Sequence, residues 1–184
     1  MLPDQTVIPV ITSMKALLRF LETPLPCFIA QDFHLNLLGE VIETAHAHKR
    51  SVIVHIELIQ GLASDEYGTQ HIIQHLHADA IISSKPKVIE MAKKNKTPAI
   101  LRLFVMDSKS LKRGIELTQT LIPDAVEFMP SLVYPLIVPM IEAAPCEVWA
   151  GGLIRTLEMI HTLTQAGITR VTVSDLSLAT AFHP

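Results

Sequence analysis

Short runs of β-favouring residues recur along the whole chain, and this recurrence limits the fold more than any single motif. They begin at Val7, Cys27, Ser51, Ala80, Ala99, Ala125, Glu147 and Arg170. Their mean spacing is about 23 residues, which accommodates one strand, one short helix and two connections. Helical periodicity fills the intervals. Leu38, Val41, Ile42 and Ala45 share a face, as do Leu111, Ile115, Thr118 and Ile122, and again Thr156, Leu157, Ile160 and Leu163. Ser108 and Ser131 stand where helix caps belong, and Gly167 stands where a helix must stop before the eighth strand. Eight strand–helix units of even length predict an α/β fold, a compact (β/α)8 barrel of the TIM type, rather than an open doubly wound sheet. Only the 11 residues Ser174–Pro184 follow the eighth strand, so the last helix is expected to be short. A thin wall there points to a second chain, a homo-oligomer.

The 184 residues are 49% hydrophobic, enough for one core and a single domain over 1–184. A net charge of −3 provides no global basic field, so any nucleic-acid contact has to be a local patch. Cys27 and Cys146 lie far apart without a CxxC spacing and read as buried thiols in a reducing compartment. No positive charge precedes the apolar run Val7–Ile11, so no secretory signal is read there. Leu132–Ile141 is interrupted by Pro135 and Pro139 and is too short to span a bilayer. The expectation is a cytoplasmic protein with no membrane partner.

Barrels of this kind gather their chemistry at the C-terminal ends of the strands. Here nearly every such end carries a polar group. The second strand ends in Gln31-Asp32. The third, read as Ser51–Glu57, puts His55 and Glu57 on one face by the period of two. Ser83-Ser84, Arg102 and Glu127 follow on the next three. Gly151-Gly152 precedes a helix starting near Thr156, and Ser174 ends the last strand. Two loops rich in free backbone N–H groups on the last two strands suit a phosphate. Plainer readings exist for each residue: a satisfied core histidine at 55, an ion pair of Arg102 with Glu127 or Glu57, a tight turn at the glycines. A whole rim of polar groups is harder to explain that way, because buried charge is costly unless paired.

Other motifs are absent or bland. His71, His75 and His77 lack an HExxH and read as a solvated helix face. There is no Walker A loop, no GxGxxG and no nucleophile-elbow serine. No lysine ends a strand where a Schiff base would need it, since Lys85 follows Ser84 in the next connection. No metal site and no cofactor are read. The residues leave two classes open. One is a binding protein for a small phosphorylated molecule. The other is an enzyme on such a substrate (an isomerase, aldolase or phosphodiesterase), using His55, Glu57, Glu127 and Asp32 as acid–base or metal-ligand groups.

The block His55-Ile56-Glu57-Leu58-Ile59-Gln60-Gly61, followed by Asp65-Glu66-Tyr67-Gly68-Thr69, resembles the signature of the glycerol-3-phosphate-responsive antiterminators, regulators of bacterial glycerol uptake operons. Further matches run in order through Ala80–Ser83, Arg102 with Phe104, Glu127 with Pro130, Ala150-Gly151-Gly152 with Ile154-Arg155, and Val173-Ser174. The resemblance covers about Ile8 to Asp175. The chain departs from it at Ser131 after the proline, where relatives often carry glycine. It has Glu57 where aspartate is common, and Ser174-Asp175-Leu176 where relatives have an asparagine.

The resemblance implies a non-catalytic sensor that binds glycerol 3-phosphate as effector and then a messenger-RNA leader, allowing transcription past a terminator. In that setting the phosphate is expected on Gly151, Gly152 and Ser174, with Arg155 or Arg102 supplying a charge. The glycerol hydroxyls are expected at His55, Glu57, Gln60 or Glu127, with Ser83 lining the pocket. The RNA surface is sought among clustered cations, within Lys85–Lys96 and Lys109–Arg113: Lys93, Lys94, Lys96, Lys109, Lys112 and Arg113. The bland reading of those clusters is a solvated helix end.

Overall fold

The computed structural model describes residues 2–141 and 144–183. Eight parallel strands close into a barrel in chain order, the eighth pairing with the first. They are β1 Val7–Ile11, β2 Cys27–Ala30, β3 Ser51–His55, β4 Ala80–Ser83, β5 Ala99–Phe104, β6 Ala125–Met129, β7 Glu147–Gly151 and β8 Arg170–Val173. Each starts at the residue where its β-type run begins. The helices between them are α1 Met14–Leu21, α2 Leu35–Ala47, α3 Glu66–Gln70, α4 Pro86–Lys94, α5 Ser108–Leu121, α6 Tyr134–Ile141, α7 Leu157–Gln165 and α8 Leu176–Phe182. Among the described residues, no helix is long and apolar enough to cross a membrane.

Because side chains alternate along a strand, each of β1 to β7 feeds two cores. The outward set, including Val52, Val54, Leu101, Val126, Ala150 and Val171, packs under the helices. The inward set fills the lower barrel: Ile8, Cys27, Ile29, Ile53, Ala80, Ile82, Ile100, Ala125 and Trp149. Two residues beyond Ile53, Ile100, Ala125 and Trp149 the inward positions are His55, Arg102, Glu127 and Gly151, and β8 adds Thr172, bonded to Glu127. The parity that buries isoleucines at the bottom therefore delivers polar groups at the top.

The helical faces follow burial with two exceptions, one of them Thr156, which is exposed because it precedes α7 as its cap. Leu38, Val41, Ile42 and Ala45 of α2 are all buried, and Ile160 and Leu163 bury α7. On α5 the expected Ile122 is 53% exposed, because it ends the helix in a left-handed conformation at φ 45°. Gly114 and Thr118 form the buried line instead, and a Cβ on Gly114 would stand 2.8 Å from Leu103. The caps differ by one residue from expectation. Asp107, not Ser108, caps α5, accepting from Ser110 N at 2.7 Å while Ser110 Oγ accepts from Asp107 N at 2.9 Å. Ser131 opens a 3-10 turn, Ser131–Val133, after a cis Met129–Pro130 bond. Gly167 follows α7 at φ 93°, as its place in the sequence predicts.

Candidate functional site

A cavity of about 350 Å³ opens at the C-terminal mouth of the barrel, where Gln31, His55, Glu57, Arg102, Gly152 and Ser174 converge. Beneath it, β5 and β6 pair with Arg102 opposite Glu127. Glu127 is fully buried, and Arg102 is 5% exposed. Arg102 Nε donates to Glu127 Oε2 at 2.5 Å, and Thr172 Oγ1 donates to Glu127 Oε1 at 2.5 Å. Glu127 thus has a partner on each oxygen and acts as the anchor of the cavity floor. Arg102 Nη2 has no hydrogen-bond partner among the described residues, so one donor face of the guanidinium is left for the cavity.

Arg102 Nη1 lies 3.0 Å from His55 Nδ1 and 3.4 Å from Nε2, against the ring rather than in line with one lone pair. Burial, reinforced by this guanidinium and only partly opposed by Glu57, pushes the His55 pKa down to about 4. His55 is therefore a neutral imidazole at pH 7. An unfolded chain takes up a proton near pH 6.5 that the folded site refuses until about pH 4. Folding stability is then lost as pH falls through that window, by about 3 kcal/mol at most for a shift of this size. Urea unfolding of His55→Gln should show a flatter dependence between pH 7 and pH 4.5 than the unaltered chain. Equal slopes would exclude His55 as the source.

The third strand does not extend to Glu57. It ends at His55, and a 3-10 turn over Ile56–Leu58 follows. Glu57 reaches the cavity through this turn, not through strand alternation. Its Oε1 accepts from Ser83 Oγ at 2.9 Å, Ser84 N at 2.6 Å and Ser84 Oγ at 2.9 Å. Its Oε2 is buried without a hydrogen-bond partner and lies 3.8 Å from His55 Nε2. An acceptor left bare in this way costs free energy unless a donor arrives.

Across the mouth lies the glycine loop. A Cβ on Gly151 would stand 2.3 Å from Thr172 Oγ1 and 2.7 Å from Glu127 Oε1, so only glycine fits over the floor. Gly152 takes φ 78°, and its carbonyl accepts from Ser131 Oγ at 2.8 Å and Ser131 N at 3.3 Å. Among the described residues, the Ser174 N–H has no acceptor, and the register of Gly151 with Thr172 turns the Gly152 N–H towards the Thr172 carbonyl at the end of the ladder. Thr156 caps α7 by accepting from Met159 N at 3.2 Å.

Of the residues expected at the site, His55, Glu57, Arg102, Gly152 and Ser174 line the cavity, Glu127 and Gly151 lie beneath it, and Ser83 is buried behind Glu57 while Ser84 takes its place in the lining. Arg155 is exposed and does not line the cavity, whereas Arg102 does. Gln60 is also exposed outside the lining, its amide reaching the Asp32 carbonyl at 3.4 Å. Asp32 is exposed at φ 61° and outside the lining, its N–H donating to the Leu58 carbonyl at 2.8 Å. Among the described residues, no group of three His, Cys, Asp or Glu side chains is placed to hold a metal ion. Phe104, named from the sequence only for its place in the family resemblance, also lines the cavity, as do Met129 and Thr172. Their signal was parity, since each stands two residues from an inward position.

The basic clusters separate. Lys93, Lys94 and Lys96 lie at the C-terminal end of α4, at the bottom of the barrel, while Lys109, Lys112 and Arg113 lie on the first turns of α5, at the cavity rim. Lys93 is engaged, donating to the Leu121 carbonyl at 2.8 Å and to that of Ile122 at the end of α5.

Residues 7–178 match the family model described as glycerol-3-phosphate responsive antiterminator. The glycerol uptake operon antiterminator regulatory protein of Listeria monocytogenes strain 4b F2365 is 30% identical. It superimposes with a TM-score of 0.90 over 95% of this chain and 94% of its own. A glycerol uptake operon antiterminator-related protein of Thermotoga maritima MSB8 is 26% identical, with a TM-score of 0.85 over 96% and 99% of the two chains. The uncharacterised protein YgcP of Escherichia coli strain K12 is 25% identical over 143 residues, 78% of this chain and 75% of that protein.

Proposed function

The chain belongs to the glycerol-3-phosphate responsive antiterminator family, and on that premise we propose that it senses glycerol 3-phosphate and, once loaded, binds a messenger-RNA leader of glycerol-utilisation genes. The observation that carries the ligand assignment is the polarity of the cavity. Gly152 and Ser174, the latter with a backbone amide that lacks an acceptor, directly follow β7 and β8, and the bare Glu57 Oε2 follows β3 on the opposite side. A phosphate is repelled by Glu57 and attracted to the Ser174 amide and hydroxyl. A hydroxyl donor is what Glu57 Oε2 lacks. A molecule with phosphate at one end and hydroxyls at the other satisfies both in one orientation, with Arg102 supplying a charge-assisted bond between them.

In this reading the site binds without turnover. Glu127 is held by two partners and His55 is neutral behind Arg102, so neither stands ready for proton transfer. The protein is read as acting in the cytoplasm, where the messenger is made, with no cofactor.

Isothermal titration with glycerol 3-phosphate should give one saturable site, and phosphorus NMR should recover the ligand unaltered. Gly152→Asp, which places a carboxylate against the phosphate, should weaken binding about 100-fold or more. Glycerol without its phosphate should bind at least about tenfold more weakly. Absence of both heat and any rise in unfolding midpoint at millimolar ligand would refute the assignment.

A further inference from the structure

We propose that the rim sector built from the end of β5 and the first turns of α4 and α5 is the surface that holds single-stranded RNA. The proposal rests on the sensor reading above and names the surface that it leaves open. Helices α4 and α5 are neighbours that pack against each other, and both begin at the rim of the cavity. Lys85 and Lys87 are exposed at the start of α4; Lys109, Lys112 and Arg113 are exposed on the first turns of α5. Two acids stand among these five cations, Asp107, which caps α5, and Glu90, exposed on the second turn of α4. Elsewhere on the rim the cations are sparser or matched by acids: Lys15 is the one cation on the first turn of α1, Asp65 and Glu66 follow β3, Asp175 follows β8, and Glu158 stands near Arg155. This sector therefore carries the concentrated positive charge of the rim, in a chain whose net charge is −3.

Two exposed apolar side chains lie beside those cations. Phe104 is 52% exposed and Met106 is 85% exposed. An accessible ring flanked by cations fits an unstacked base with its neighbouring phosphates. A protein partner fits less well, since lysine is depleted from the cores of protein–protein interfaces.

The sector also touches the ligand site. Phe104 lines the cavity and is paired in register with Met129, and a Cβ on Gly152 would stand 2.9 Å from the Met129 methyl. A phosphate seated on Gly152 is thus separated from Phe104 by one flexible side chain. Phe104 belongs to both surfaces, which gives ligand a direct route to the RNA contact.

The test uses the full chain, the leader transcript of the glycerol-utilisation genes from the same genome, and a mixed-sequence RNA of equal length, each with and without glycerol 3-phosphate. The triple reversal Lys109→Glu, Lys112→Glu, Arg113→Glu should weaken leader binding about tenfold or more and lower the salt slope by roughly two. Its titration with glycerol 3-phosphate should be unchanged, which verifies the fold. Phe104→Ala should weaken the leader about 5- to 100-fold and bring the ratio of affinities with and without ligand towards one. The control pair Lys94→Glu, Lys96→Glu, at the opposite end of the barrel, should bind as the unaltered chain does. The surface is refuted if the triple variant binds the leader normally, including the case where it binds but fails in transcription assays, which would assign the face to a protein partner. If the unaltered chain takes up ligand yet binds no leader, the sensor reading itself fails.

Discussion

Arg102→Met should cost about 3–5 kcal/mol of folding stability, among the largest effects available to a single substitution in this chain. The size follows from what is left behind. Glu127 is fully buried, and the variant removes the cation at 2.5 Å that compensates its charge. Thr172 remains, but a single hydroxyl cannot replace a guanidinium in a site closed to water. Methionine keeps much of the arginine stem's packing, so the loss reports on charge more than on volume. The discriminating variant is the double change Arg102→Met, Glu127→Gln, which removes both charges and keeps an oxygen for Thr172. It should recover at least half of the loss in urea unfolding at pH 7. A double variant as unstable as the single one would place the cost in packing and deny Glu127 its anchoring role. Ligand titration separates a second consequence: the double variant, though refolded, should bind glycerol 3-phosphate more weakly because Arg102 Nη2 is gone.

The same floor shows how much of this protein is legible without coordinates. Strand starts are legible because each is marked by a β-type run after a helical stretch, and all eight begin where those runs begin. The polar rim is legible because alternation from a buried isoleucine such as Ile53 or Ile100 predicts that His55 and Arg102 also point inward. The run Ile56-Glu57-Leu58-Ile59 is different. It has β-type composition, yet the backbone turns into a 3-10 helix there, and nothing in its residue types marks the change. The Ile122 error has a similar origin. A 3.6-residue period cannot register that a helix has already ended in a left-handed cap. The basic clusters mislead through proximity: Lys96 and Lys109 are thirteen positions apart in sequence, but β5 runs between them from the bottom of the barrel to the top. Helix polarity, which the sequence does encode once the barrel is accepted, sorts one cluster to the cavity rim and the other away from it.

Gly151→Ala should be nearly as damaging as the loss of Arg102, about 3 kcal/mol or more, although it adds one methyl group. The added Cβ would lie 2.3 Å from Thr172 Oγ1 and 2.7 Å from Glu127 Oε1. Neither neighbour can yield cheaply, because Thr172 is bonded to Glu127 and Glu127 to Arg102. Relief requires breaking a buried hydrogen bond or spreading β7 from β8. The adjacent Gly152→Ala is the informative contrast. Its Cβ would meet the free end of Met129 at 2.9 Å, an obstacle that can rotate away, and the main cost is a side chain at φ 78°. That cost is about 1–2 kcal/mol. If steric conflict with Thr172 is the cause at position 151, adding Thr172→Ala should make the pair less destabilised than the sum of its parts by about 1 kcal/mol or more. Strict additivity in urea midpoints would mean that the Gly151 requirement lies elsewhere than in its approach to the floor. The two glycines, adjacent in one loop, are thus expected to fail differently: Gly151→Ala through folding, and Gly152→Asp through the loss of a phosphate site in a chain that still folds.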